Sequence, residues 1–150
     1  MAEEIEKKYL IKGPIPKDIS EPKLIKQGYI MIDKGRHLRV RLINGTAIIA
    51  LKFTNEDIRK EFEYTVPYID GKQMYERCEF FLEKLRFIIH HDGVKYELDS
   101  YPNGLKVVEV EFRTQEDANN FKVPSWLGEE VTKLKEYSNV TIAKEKLTFT

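Results

Sequence analysis

A chain of 150 residues, 41% hydrophobic and 33% charged, is long enough to bury a core of its own and too polar to dissolve in lipid. Lys plus Arg and Asp plus Glu number 25 each, so the formal net charge is zero and no bulk positive field favours nucleic acid or an anionic membrane. Cys78 is the only cysteine, which excludes an intramolecular disulfide and a thiolate zinc cluster. No signal-peptide-like apolar stretch follows Met1-Ala2-Glu3-Glu4, and no run nears the roughly twenty apolar residues of a membrane span. The expectation is one domain over residues 1–150, cytoplasmic, with neither membrane nor nucleic acid as partner.

The pattern that recurs along the chain is alternation with period two, the mark of strands with two chemically different faces. Strands are expected over Glu4–Ile11, Leu24–Ile32, Gly35–Ile43, Ala47–Thr54 and Arg59–Val66. Asn44-Gly45 between two such runs is a hairpin signal, because a tight primed turn needs positive φ at both central positions. From Asp70 to Leu85 the period changes: Met74, Cys78, Phe81, Leu82 and Leu85 fall at helical spacing, with Asp70 as N-cap. Lys84–His91 then reads as a strand, Asp92-Gly93 as a turn, and Val94–Tyr101 and Leu105–Arg113 as a hairpin pair across Pro102-Asn103-Gly104. Short helices are expected at about Gln115–Phe121 and from about Gly128. The fold class is therefore mainly β: an eight-stranded antiparallel β-barrel, or else a strongly curved sheet, with a few short helices outside and at the C-terminus.

Sorting the strand residues by parity separates two faces. One carries Glu4, Glu6, Lys8, Gln27, Tyr29, Arg39, Arg41, Lys52, Arg59, Glu61, Glu63, Lys84, Arg86, Glu97, Asp99, Glu109 and Glu111. The other carries Ile5, Tyr9, Val40, Leu42, Ile49, Leu51, Phe62, Leu98, Val108, Val110 and Phe112. A polar face normally points to water. Here, however, Arg-x-Arg and Glu-x-Glu blocks replace mixed pairs, and the Ser and Thr usual on solvated strands are nearly missing. Turned inward, such a face makes a polar cavity with two zones. Carboxylates at i and i+2 suit a hard cation, and guanidinium and ammonium groups suit phosphate oxygens. A polyphosphate that also takes a metal would satisfy both.

Glu4-Ile5-Glu6-Lys7-Lys8 resembles the E-x-E-x-K signature of the CYTH superfamily, the triphosphate tunnel metalloenzymes. The resemblance continues in order through Gln27-Gly28-Tyr29 (Q-x-Y), Arg39-Val40-Arg41 (R-x-R), Lys52, Arg59–Glu63 (R-x-E-x-E) and Lys84-Leu85-Arg86 (K-x-R). Glu97-Leu98-Asp99, Gly104-Leu105 and Glu109-Val110-Glu111 are similar to its late hairpin, and Trp126–Thr132 to its W-x-G-x-E-V-T tail. The resemblance implies a tunnel, dependence on Mg²⁺ or Mn²⁺, and a small-molecule substrate ending in a triphosphate. By motif position it makes Glu4, Glu6, Glu109 and Glu111 metal ligands or their close partners. Glu61, Glu63 and Asp99 would serve a second metal or orient water. Lys8, Arg39, Arg41, Lys52, Arg59, Lys84 and Arg86 would hold phosphates, and Tyr29 with Lys84 would assist the leaving phosphate. The implied activity is metal-dependent hydrolysis of a linear triphosphate, with a class IV-type adenylyl cyclase or a non-catalytic polyphosphate- or nucleotide-binding module as alternatives.

The tail departs from the family pattern. Where an R-Y-x-N element is expected stands Glu136-Tyr137-Ser138-Asn139, with Glu136 in place of the arginine and Lys144 as a substitute cation further on. His90 and His91 are neighbours on one strand, so they point to opposite faces and do not share an ion. His37 has the parity of Arg39 and reads first as an exposed histidine near a strand start, with contact to an end phosphate as the alternative. Cys78 reads as packing and Trp126 as an anchor for the tail. An apolar outer patch leaves room for a homodimer.

Overall fold

The computed structural model describes residues 3–55 and 58–149. Nine strands form one antiparallel sheet: β1 (Glu6–Ile11), β2 (Lys23–Asp33), β3 (Arg36–Ile43), β4 (Thr46–Asn55), β5 (Ile58–Val66), β6 (Phe80–His91), β7 (Val94–Ser100), β8 (Lys106–Glu111) and β9 (Leu127–Glu130). Their spatial order is β5-β4-β3-β2-β6-β7-β8-β1-β9. Three short helices, α1 (Tyr68–Glu76), α2 (Gln115–Asn119) and α3 (Asn139–Ala143), and one 3-10 turn at Lys135–Tyr137 complete it. None of the described helices is long and apolar enough to cross a membrane.

The expected hairpins form where the turn chemistry demanded them. Asn44 and Gly45 take φ of 49° and 73°, and Asp92 and Gly93 take 49° and 75°, the left-handed geometry of tight primed turns. Two expectations need correction. The helix placed over 70–85 stops at Glu76; Pro67, not Asp70, precedes its first turn, and Phe81, Leu82 and Leu85 belong to β6. The helix placed from Gly128 is strand β9, which pairs Tyr9 with Glu130 and Ile11 with Leu127.

The mainly β antiparallel class holds, as a strongly curved sheet: among the described residues it has nine strands where eight were expected, and it is not closed into a barrel. The physical reason lies in β1. Its second half is taken by β9, leaving only the residues before Glu6 to meet β5. There Glu3 bridges to Lys60, and the Glu4 amide donates to the Arg59 carbonyl at 3.0 Å. The sheet thus curls until its two sides touch at one end without zipping up.

The outer face carries two apolar clusters. Tyr9, Ile89, Tyr96, Leu98, Val108, Val110 and Leu127 gather around Trp126, whose ring meets Tyr96 edge-on at 5.0 Å. Val40, Leu42, Ala47 and Cys78 pack with Met74 and Tyr75 beside α1. Gly28 is required here, since a Cβ would lie 2.6 Å from the Cys78 sulfur. A third cluster lies on the inner face, at one end of the curl. Tyr29, Leu82, Tyr101 and Val107 meet Ile142 and Ala143 of α3, with Leu10, Phe80, Leu105, Val140 and Leu147 around them. The inner face is therefore charged along most of its length and apolar at the end the tail fills.

Candidate active site

The curl encloses a cavity of about 550 Å³. Of the residues singled out in the sequence, it gathers Glu4, Glu6, Lys8, Tyr29, Arg39, Arg41, Lys52, Arg59, Glu61, Glu63, Arg86, Glu97, Glu109 and Glu111 on its wall. Apart from Glu4, which precedes β1, these come from the eight strands other than β9, because alternate residues of each strand point the same way. His37 also lines the wall, its ring edge-on to Tyr29 at 5.3 Å. Lys84 and Asp99 do not line the wall; they lie behind it, 0% and 1% exposed.

Opposite charges meet on the β4–β5 side. Lys52 Nζ lies 3.2 Å from Glu4 and 3.5 Å from Glu61. Arg39 reaches Glu63 at 2.9 Å and Glu61 at 3.7 Å, and Arg59 reaches Glu4 at 3.0 Å and Glu6 at 3.3 Å. Burial works against the Lys52 ammonium, but Glu4, Glu6 and Glu61 outweigh it and hold its pKa above the ordinary lysine value. Even so, the Nε atoms of Arg39 and Arg59 are buried with no hydrogen-bond partner, as is Nδ1 of His37. Unpaired buried donors of this kind are costly unless a ligand's acceptors reach them. Among the described residues Arg41 makes no ion pair with a carboxylate; its Nε donates to Gln27 at 3.0 Å, and burial, with Arg39 and Arg86 nearby, presses its pKa down to about 10.

Like charges meet on the other side. Glu6 stands opposite Glu111 across β1–β8, and Glu97 opposite Glu109 across β7–β8. Lys8 tempers this by reaching Glu109 at 3.6 Å. Burial, with Glu109 and Glu4 beside it, raises Glu6 to about 7, and burial with Glu97 and Glu109 raises Glu111 too. Glu109 goes the other way: burial opposes its ionisation, but Lys8, Lys84 and Arg86 hold it below the usual carboxylate range. Among the described residues no three carboxylates stand close enough to one another to hold a metal as they are placed. The fit is in chemistry: oxygen donors that repel one another are relieved by a hard divalent cation. Glu4, Glu6, Glu109 and Glu111 are the residues that would supply them.

Behind the wall, Lys84 Nζ pairs with Asp99 at 2.8 Å, and Asp99 accepts two hydrogen bonds from Arg86, at 2.8 and 2.9 Å. Burial lowers Lys84 to about 7 despite the pull of Asp99, while Lys84 and Arg86 overcome burial to keep Asp99 ionised. The Tyr29 hydroxyl accepts from Gln27 Nε2 at 2.8 Å, which leaves its own proton to donate. The tail adds wall residues that the pattern of strands does not reveal: Thr132, Lys135, Ser138, Asn139 and Thr141. Lys135, one residue before Glu136, is the tail's cation at the cavity; Lys144 is not on the wall.

No family model matches the chain. Known proteins do. An inorganic triphosphatase of Acetivibrio thermocellus is 35% identical over 150 residues, covering 96% of this chain and 95% of that protein. The chain belongs to the CYTH superfamily. A second inorganic triphosphatase, from Nitrosomonas europaea, is 31% identical across 93% of this chain and 96% of its own. The crystal structure of an inorganic triphosphatase superposes with a TM-score of 0.69 at 29% identity, covering 96% of each chain. A Vibrio parahaemolyticus protein proposed to be an adenylate cyclase shares the fold at 15% identity, with a TM-score of 0.58 over 79% of this chain and 81% of that one. A shared fold does not fix the activity, and the wall must be read for itself.

Proposed function

We propose that this CYTH protein hydrolyses a linear triphosphate, inorganic triphosphate foremost, with Mg²⁺ or Mn²⁺. The observation that carries the reading is the pairing of two unmet demands in one cavity. Arg39 and Arg59 keep buried, unpartnered Nε–H donors, while burial with Glu109 and Glu4 raises Glu6 and burial with Glu97 and Glu109 raises Glu111. A metal-bound polyanion meets both demands at once, and the relatives that bear the name inorganic triphosphatase are similar over nearly the whole chain. In this reading the curled sheet acts as a tunnel, plugged at its apolar end by the tail.

Lys8, Arg39, Arg41, Lys52, Arg59 and Arg86 bind the phosphate oxygens and orient the chain of phosphorus atoms. Glu61 and Glu63, on the same strand face, accept hydrogen bonds from the attacking water and aim its oxygen at a terminal phosphorus. That P–O anhydride bond breaks, and triphosphate plus water becomes orthophosphate and pyrophosphate. Tyr29 gives its hydroxyl proton as a hydrogen bond to the leaving oxygen, with the Lys84 ammonium behind it balancing charge. A divalent ion held by Glu4, Glu6, Glu109 and Glu111, with Asp99 close behind, would neutralise phosphate charge and polarise a phosphoryl oxygen. Positioning and fixed charge supply most of the rate enhancement in such transfers. A chain with one cysteine suits the reducing cytoplasm in which we place the reaction.

The test is incubation with inorganic triphosphate and Mg²⁺ or Mn²⁺, following both products. Equal release of orthophosphate and pyrophosphate is expected. Cyclic nucleotide and pyrophosphate from ATP would mark a cyclase, and binding without product a binding module; either outcome overturns the proposal.

A further inference from the structure

The tail fills the apolar end of the cavity, and it also touches the charged network behind the wall. Asn139, the first residue of α3, accepts two hydrogen bonds on its side-chain oxygen: from the Tyr101 hydroxyl at 2.6 Å and from Lys84 Nζ at 3.4 Å. The Lys84 ammonium can only donate, so the amide cannot be turned round without setting its NH₂ against it. Asn139 is itself held from both sides. Ser138 caps the helix by accepting from the Thr141 amide, and Ile142 and Ala143 are buried beside Tyr101.

Lys84 is fully buried, on a four-carbon stem that is flexible when its head is free. Its ammonium has three N–H groups; Asp99 takes one, at 2.8 Å, and Asn139 a second. Without Asn139, Asp99 alone would hold it and the head would be free to pivot. Asp99 carries the arrangement onward, because it grips Arg86 through two hydrogen bonds and Arg86 lies on the cavity wall. An unbroken chain of polar contacts thus runs from the tail through Lys84 and Asp99 to a group placed to meet phosphate.

We infer that Asn139 is a positioning residue: it fixes the Lys84 ammonium, so that the tail sets the geometry of the reaction as well as sealing one end. The inference rests on the reading that the cavity hydrolyses a triphosphate. Loss of a group that fixes a reacting geometry shows in kcat, since a displacement of about 1 Å costs up to about 100-fold.

The experiment compares steady-state kinetics of the full chain on inorganic triphosphate for wild type, Asn139→Ala, Asn139→Asp and Ile142→Ala. Asn139→Ala is expected to lose about 10- to 100-fold in kcat with KM within about threefold. Asn139→Asp keeps an oxygen at the same place and should restore kcat to within about threefold of wild type. Ile142→Ala loosens the tail without touching Lys84, so it should lower the melting temperature and raise KM with little loss of kcat. Wild-type kcat in Asn139→Ala, equal losses in the Ala and Asp variants, or the same kcat and KM pattern in Ile142→Ala would each overturn the inference. An NMR measurement of hydrogen exchange at Lys84 Nζ separates this from the functional reading. Should the wild type fail to hydrolyse triphosphate, that reading falls, and the ammonium is still expected to exchange slowly in wild type and fast in Asn139→Ala; equal rates would overturn the inference by themselves.

Discussion

On the β1–β8 side of the cavity Glu6 lies opposite Glu111, and nearby Glu97 lies opposite Glu109, whereas on the β4–β5 side Lys52 lies opposite Glu61. Both sides are lined by strand residues of alternating parity, and both are largely buried. They differ in how fully the protein itself supplies the opposite charge. Where it does, as at Lys52 and Arg39, the ion pairs belong to the folded chain. Where it does so only in part, with Arg59 on Glu6 and Lys8 on Glu109, burial and the neighbouring carboxylates still raise Glu6 and Glu111 above the ordinary carboxylate pKa. Like charges held together at the cost of stability point to a ligand that neutralises them.

The strongest way to break that comparison is to empty the like-charged side. Glu4→Gln with Glu6→Gln should abolish metal-dependent turnover while the chain still folds, with phosphate release and circular dichroism as the two readouts. Near wild-type hydrolysis in Mn²⁺ would mean that these carboxylates do not serve the metal. The opposite operation, on a pair the protein does complete, should destabilise the fold. Asp99→Asn leaves Lys84 buried without its counter-charge, and a broken buried pair costs about 3–5 kcal/mol. Urea denaturation measures this, and a loss under about 1 kcal/mol would show that Lys84 is neutral in the folded chain.

Two arginines sharpen the contrast, because they share a strand face and differ in partners. Arg39 holds Glu63 and Glu61; Arg41 holds only Gln27 and faces other cations. Arg41→Ala should weaken triphosphate binding about 10- to 100-fold, the worth of a hydrogen bond to a charged group, with the melting temperature unchanged or raised. Arg39→Ala should weaken binding similarly and lower the melting temperature. Calorimetric titration beside thermal melting would show whether the two variants separate.

The smallest effect is in pH. Glu6 is raised from 4.5 to about 7 in the fold, so between those values the folded chain binds more protons than the unfolded one. Stability from this group is full below pH 4.5 and lost as pH rises towards 7. Without divalent metal, melting temperature should therefore drift down over that window, and saturating Mg²⁺ should flatten the drift. A rise with pH in the metal-free protein would contradict the crowding of Glu6 by Glu109 and Glu4.

What the sequence disclosed follows from how each region is buried. Strands with one charged and one apolar face alternate visibly, so β1, β3, β5, β7 and β8 and the inward set from Glu4 to Glu111 could be read from parity. The start of β6 could not. Leu82 points in to the apolar end and Phe81 out against Tyr75, so both parities are apolar and the stretch mimics helical spacing. Strand β9 is four residues long, and Gly128 sits where a Cβ would press on the Leu10 carbonyl at 3.3 Å, a reason invisible without the neighbouring strand. One signal was present and unread: Leu10, Leu82, Tyr101 and Val107 share the parity of the charged residues. That switch to apolar marks the end the tail fills. The depth of Lys84, which the tail's Asn139 meets, and of Asp99, which Lys84 and Arg86 hold, left no trace in either strand's own pattern.

The most direct measurement of the two-zone account is thermal melting with inorganic triphosphate, with Mg²⁺ or Mn²⁺, and with both together. The account predicts that both together raise the midpoint by more than either alone and by more than ATP with the same metal. Ligand at about a hundred times its dissociation constant contributes roughly 2.7 kcal/mol, a shift of several degrees for a chain of this size. A midpoint that none of these moves, at any metal concentration, would contradict it and leave the charged inner face as solvated surface.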